Sequence, residues 1–216
     1  MSRIKKPNGR NRLQRTVEHK LEVRHFLIVC EGGKTEPNYF KKFPQPQNGS
    51  ITVRGMGANT DSLVELAIVI RADIEREKRQ KFTDVWCVFD RDSFPAQNFN
   101  RALELAEING IEVAYTNEAF ELWYLLHFDY HDTGVSRHDY RAKLSASNRL
   151  SFKYEKNNPD MYDILLERQP AAIQNAKTLF STYGRRPNPE KSSPITRVHL
   201  LVWELNKAAR KKLSSK

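Results

Sequence analysis

The run His25–Cys30 (HFLIVC) constrains this chain more than any other segment. From Phe26 onward it offers water no polar face and is rich in branched side chains, the mark of a strand buried on both sides. Val85–Phe89 (VWCVF) repeats the pattern. Such strands need helices above and below them, and the intervening sequence supplies these. Asp61–Lys78 sets Leu63, Leu66, Ala67, Ile70 and Ile74 on one helical face and charges on the other. Thr35 can cap a helix opening at Glu36-Pro37. Ala96–Asn109 reads as a helix closed by Asn109-Gly110. Ile51–Arg54 and Ile111–Tyr115 read as two further strands, and Glu118–Phe128 (EAFELWYLLHF) as a helix with a strongly apolar face.

Strand and helix therefore alternate along residues 25–128, which predicts an α/β fold: a parallel sheet with helices on both faces and right-handed connections. Beyond Phe128 the strand signal fades. Arg137–Ser145, Asp160–Arg168, Ala171–Thr182 and Ile195–Lys212 read as helices between Asn-Pro, Arg-Pro and Ser-Pro breaks. The expected organisation is a basic flexible arm (1–24), an α/β domain (25–130) and a C-terminal helical extension with a basic end (131–216).

The formal charge of +10 is concentrated at the two ends. Residues 1–24 carry eight Lys/Arg against two Glu, residues 204–216 carry five against one, and the stretch between is balanced. Basic ends either seek a polyanion such as nucleic acid or keep a chain soluble, and charge alone leaves both readings open. No apolar stretch has the length of a membrane span and no signal-peptide core opens the sequence, so the expectation is a cytoplasmic protein with no membrane partner. Cys30 and Cys87 lie inside apolar runs without metal-ligand spacing, as buried thiols would.

In an open parallel sheet, sites form at the carboxyl ends of the strands. Glu31 follows the first strand, and Asp90-Arg91-Asp92 follows the third. Three carboxylates converging from distant sequence suit a hard divalent cation, while turn and cap roles explain the same acids equally well. Gly33-Lys34-Thr35 is not a P-loop, because the required upstream glycine position is Ile28. The glycines and Lys34 can still approach a phosphate, or simply make a tight turn with a solvated lysine. Glu118 and Glu121 can both reach the acidic site, and Glu118 serves a helix first turn equally well. His127, Tyr39, Phe40 and Phe43 read as core.

Taken together, Phe26–Phe40 (FLIVCEGGKTEPNYF), Val85–Phe94 (VWCVFDRDSF) and Asn117–Phe128 (NEAFELWYLLHF) resemble the RloB family, in its order and spacing. The resemblance covers residues 25–128 closely and the helical tail loosely. It implies a Toprim-like sheet, with Glu31 at the glutamate after the first strand and Asp90 and Asp92 at the Asp-x-Asp. It further implies Mg2+ or Mn2+ held by Glu31, Asp90 and Asp92, with Glu31, Lys34, Glu36 and Glu121 as catalytic candidates. Glu118-Ala119 departs from the family's Asn-Pro-x-Phe-Glu pattern, which leaves Glu121 as the better-matched acid. The implied activity is a metal-dependent nuclease, leaning to RNA such as tRNA over DNA, acting in antiphage defence beside an SMC/ABC-type ATPase. The alternative is a non-catalytic nucleic-acid-binding or regulatory subunit of such an ATPase complex.

Overall fold

The computed structural model describes residues 22–57, 60–91, 96–184, 187–188 and 191–209. Most of the two basic ends and all of Asp92 lie outside the described residues.

Within them the chain runs β1 (Arg24–Cys30), α1 (Thr35–Lys41), β2 (Gly49–Gly55), α2 (Thr60–Lys78), β3 (Asp84–Asp90), α3 (Ala96–Ile108) and β4 (Glu112–Asn117). It continues through α4 (Glu121–Leu125), α5 (Asp139–Leu144), α6 (Met161–Leu165), a 3-10 turn at Leu166–Arg168, α7 (Gln169–Thr182), β5 (Ile195–Thr196) and α8 (Val198–Ala209). The sheet order is β2-β1-β3-β4-β5; the first four strands are mutually parallel and β5 is antiparallel to β4. The α/β expectation thus holds, with β3 parallel to β1.

The strand period of two sorts the side chains of β1 onto opposite faces. Leu27 and Val29 join Val85, Cys87, Phe89, Val113 and Tyr115 beneath α2 and α3. Phe26, Ile28 and Cys30 join Trp86, Val88 and Ala114 on the other face, under α1 and the helices after β4. A run without polar residues was needed because both faces are covered. The chain first steps from β1 outward to β2 through α1, then returns past β1 to β3 through α2. The helix changes face when the direction of travel reverses, as a constant crossover hand requires. The switch point between β1 and β3 opens a crevice at their carboxyl ends.

The helical tail is continuous with the sheet's own core. Leu144, Tyr154, Leu165, Leu179, Val202 and Leu205 belong to the same buried cluster as Phe26, Trp86 and Trp123.

Four local expectations are corrected. Thr35 does not cap α1: Lys34 stands at that position with no side-chain cap bond, and the Thr35 hydroxyl instead donates to Asn157 Oδ1 at 2.8 Å. The helix expected over Glu118–Phe128 is regular only over Glu121–Leu125: at its start the Leu122 and Trp123 N–H groups, and at its end those of His127 and Phe128, donate three residues back in tighter turns. Ile195 and Thr196 open no helix. They form β5, whose partners Asn117 and Thr116 lie far away in sequence. Strand Ile111–Tyr115 is displaced to Glu112–Asn117, since Ile111 N–H closes the end of α3 on Ala106 O at 2.9 Å. Gly110, at φ 62°, makes that closure in the left-handed region where a side chain is disfavoured.

His127, Tyr39, Phe40 and Phe43 are core, as read from sequence. The His127 ring faces Trp123 O through Nδ1 at 2.8 Å, and burial pushes its pKa down to about 4. Cys30 and Cys87 are free, buried thiols. Among the described residues no helix is long and apolar enough to cross a membrane.

Candidate active site

Each acid of the crevice is carried by the end of a regular element. Glu31 leaves β1 while its N–H still donates to Val88 O of β3 at 2.9 Å, so the strand pairing extends to the acid itself. Its carboxylate turns back, and Oε2 accepts the Asp90 backbone N–H at 3.1 Å. Asp90 closes β3, and the next N–H, of Arg91, donates to Thr116 O at 2.7 Å. Glu36 sits in the first turn of α1, and Glu121 opens α4. These four carboxylates, with Gly32, Gly33, Lys34, Thr35, Arg137, Lys156 and Asn157, line one cavity of about 480 Å3.

Three of the acids are nearly enclosed: Glu36, Asp90 and Glu121 are 7–8 % exposed. A buried carboxylate needs a counter-charge or a proton. Asp90 receives the first in part, as Arg137 Nη2 lies 3.1 Å from its Oδ2. Burial, then repulsion from Glu36 and Glu121, still raises the Asp90 pKa well above the ordinary carboxylate range. Burial likewise raises that of Glu36, with Glu121 adding to the effect and Lys156 opposing it. Glu121 is held by Tyr154, whose hydroxyl donates to Oε1 at 3.2 Å. Two further hydroxyls near these acids, those of Tyr124 and Tyr140, are buried with no hydrogen-bond partner.

Gly32 has a specific reason to be glycine. A Cβ there would overlap Glu36 Oε2, so a bare backbone is what lets that carboxylate lie against the loop. Gly55 supports the same loop, since its Cβ would stand 2.6 Å from Pro37 Cγ and 2.8 Å from Gly32 O.

The structure brings Glu31, Lys34, Glu36, Asp90 and Glu121 into one cavity, with Lys34 exposed at its rim. Glu118 is exposed and does not line it. Asp92 lies outside the described residues. Among the described residues no group of three or more His, Cys, Asp or Glu is already arranged around a metal position. Sequence reading missed Arg137, Tyr154, Lys156 and Asn157, all delivered by the helical tail. The Asn157-Asn158-Pro159 break was legible as a turn, but nothing local tied it to Thr35 across the fold. A larger cavity, of about 610 Å3, borders the N-terminal half of β4. It has no comparable gathering of acids.

The raised Asp90 pKa has a testable consequence. In the folded chain Asp90 keeps its proton to higher pH than when unfolded, where it titrates near 3.8. The stability contributed by the neutral form is therefore lost as pH rises from about 4 toward neutrality. His127 and His199, both lowered to about 4, act in the opposite sense. They are common to wild type and variant and cancel in a comparison. Metal-free Asp90→Asn protein should melt above wild type at pH 8, with the gap closing toward pH 4. A gap that is the same at both pH values would show that Asp90 carries no such penalty.

An open, mostly parallel α/β sheet with an acid-lined crevice at its switch point defines the class of protein by its architecture. More particularly, the chain matches the family described as RloB-like protein over residues 26–205, and it belongs to that family. The match takes in the helical tail as well as the sheet. No curated protein and no solved structure matches the chain.

Proposed function

We propose that this RloB-like protein is a metal-dependent nuclease that hydrolyses phosphodiester bonds in nucleic acid. One observation carries the reading: Glu31, Glu36, Asp90 and Glu121, from four separate strand and helix ends, share one cavity rimmed by Lys34, Lys156 and Arg137. Acids crowded until their pKa values rise favour an added cation. All the donors are carboxylate oxygens, which suits Mg2+ or Mn2+. Glu31 and Asp90 would hold the ion, with Asp92 two residues further along the chain as a third ligand. When bound, such an ion lowers the pKa of a water and stabilises charge on phosphate oxygens.

The protein's own groups complete the chemistry. Lys34 and Lys156 neutralise the phosphate at the cavity mouth. Glu36, buried and inclined to keep a proton, can pass one to the leaving oxygen. Tyr154 orients Glu121. The parallel β1–β3 pair and the acids after both strands are in keeping with a Toprim-like arrangement. The same resemblance supports an effector role in antiphage defence beside an SMC/ABC-type ATPase, with RNA such as tRNA favoured over DNA.

Purified protein incubated with tRNA, single-stranded DNA and duplex DNA, with Mg2+, Mn2+ or a chelator, tests the activity. Metal-dependent cutting of any of them supports it. Absence of cutting with every metal, with or without the ATPase, leaves the non-catalytic regulatory subunit as the reading. Gly32→Ala should slow cleavage by roughly a hundredfold while barely moving the melting temperature. It displaces only the tip of a flexible side chain, and misplacing a reacting group by about 1 Å costs about that much. An unchanged cleavage rate would remove Glu36 from the chemistry.

A further inference from the structure

We infer that Arg137 is the resting counter-ion of this cavity and competes with a divalent cation for Asp90, a role that rests on the metal-dependent reading above. Asp90 is fixed at the end of β3 with its side chain 12 % exposed, whereas Arg137, on the loop before α5, is 42 % exposed. Their contact of 3.1 Å puts a permanent positive charge on Oδ2, beside Glu31, Glu36 and Glu121. A guanidinium cannot lose its charge at any relevant pH, so its opposition to the Asp90 charge does not depend on pH. For the same reason it repels any second cation brought to that oxygen.

The two partners differ in freedom. Asp90 is enclosed and held by the sheet. Arg137 is half in water, so its charge is hydrated rather than stranded when an ion takes its place on Asp90. Exchange therefore runs with Arg137 leaving and the ion entering.

The competition is read from Mn2+ binding to metal-free protein, titrated by calorimetry. Arg137→Ala should bind Mn2+ roughly tenfold more tightly than wild type, the gain expected when one charge-assisted hydrogen bond no longer has to be broken. Arg137→Gln, which keeps a donor but no charge, should also tighten binding and serves if Ala disturbs the loop. Arg137→Lys should stay near wild type, and Asp90→Asn should lose binding. Independently, saturating Mn2+ should raise the melting temperature more in Arg137→Ala than in wild type. If Asp90→Asn abolishes binding while the Ala and Gln variants bind no more tightly than wild type, this inference fails and the metal-dependent reading survives. If neither wild type nor the Arg137 variants bind Mn2+, both fall.

Discussion

Asp90→Asn protein should fold and bind nucleic acid as wild type does, yet cleave it more slowly by over roughly a hundredfold, beyond what loss of a supporting contact around a metal costs. The substitution keeps the size and shape of the side chain, and the β3 backbone N–H that holds Glu31 is untouched. What disappears is one negative charge at the point where Glu31, Glu36 and Glu121 converge. Removing it relieves repulsion in metal-free protein, so stability should not fall. It also removes the charge that would hold a cation. Nucleic-acid binding should persist or tighten, because Lys34 and Lys156 remain and an acid near the phosphates is gone. Glu31→Gln should behave alike. Steady-state cleavage, a filter-binding titration and a thermal melt on the same preparations separate the effects. Wild-type cleavage by Asp90→Asn would rule out Asp90 as a functional ligand, and parallel loss of folding would reduce it to a structural residue. On the proposed role as a defence effector beside an ATPase, wild-type chain expressed alone in cells should arrest growth where the variant does not.

A chain truncated after residue 130 should fail to fold. Its sheet would keep α2 and α3 on one face, but on the other it would lose Leu144, Leu150, Leu165, Leu179, Leu201 and Leu205, along with Tyr154 and Met161. Each buried Leu contributes about 1.5–3 kcal/mol, and whole domains are held by about 5–15 kcal/mol, so those leucines alone match the entire margin. The edge strand β5 would go too, leaving Thr116 and Asn117 of β4 without a partner on their outer edge. Circular dichroism and a denaturant titration of the truncated chain are the check. A cooperative unfolding transition in that fragment would show that the sheet stands alone and the tail is an accessory. The full chain should melt in one transition.

The same shared core explains how far the sequence could be read. Apolar runs and helical spacing are properties of consecutive residues, fixed by whether one face or both must leave water. Hence β1, β3, α2 and α3 could be placed from the text, and Glu31 and Asp90 could be placed at strand ends. The buried character of His127 and the two thiols was legible for the same reason, since each is embedded in an apolar run. Short elements were less legible. Ile195–Thr196 is a strand only because β4 offers it an edge, and Thr35 leaves its cap position because Asn157 offers its hydroxyl a partner.

Only the tertiary structure decided that β1 and β3 are neighbours, which is what brings Glu31 against Asp90. It also decided that Glu121 rather than Glu118 enters the cavity, and that the tail supplies Arg137, Tyr154 and Lys156 to acids carried by the sheet region. No local pattern encodes these meetings. They come from packing both faces of one sheet at once, a balance summed over residues far apart in the chain. The sequence by itself determined the strands, their two-sided burial and the acids at their ends; packing chose the partners that turn those acids into a site.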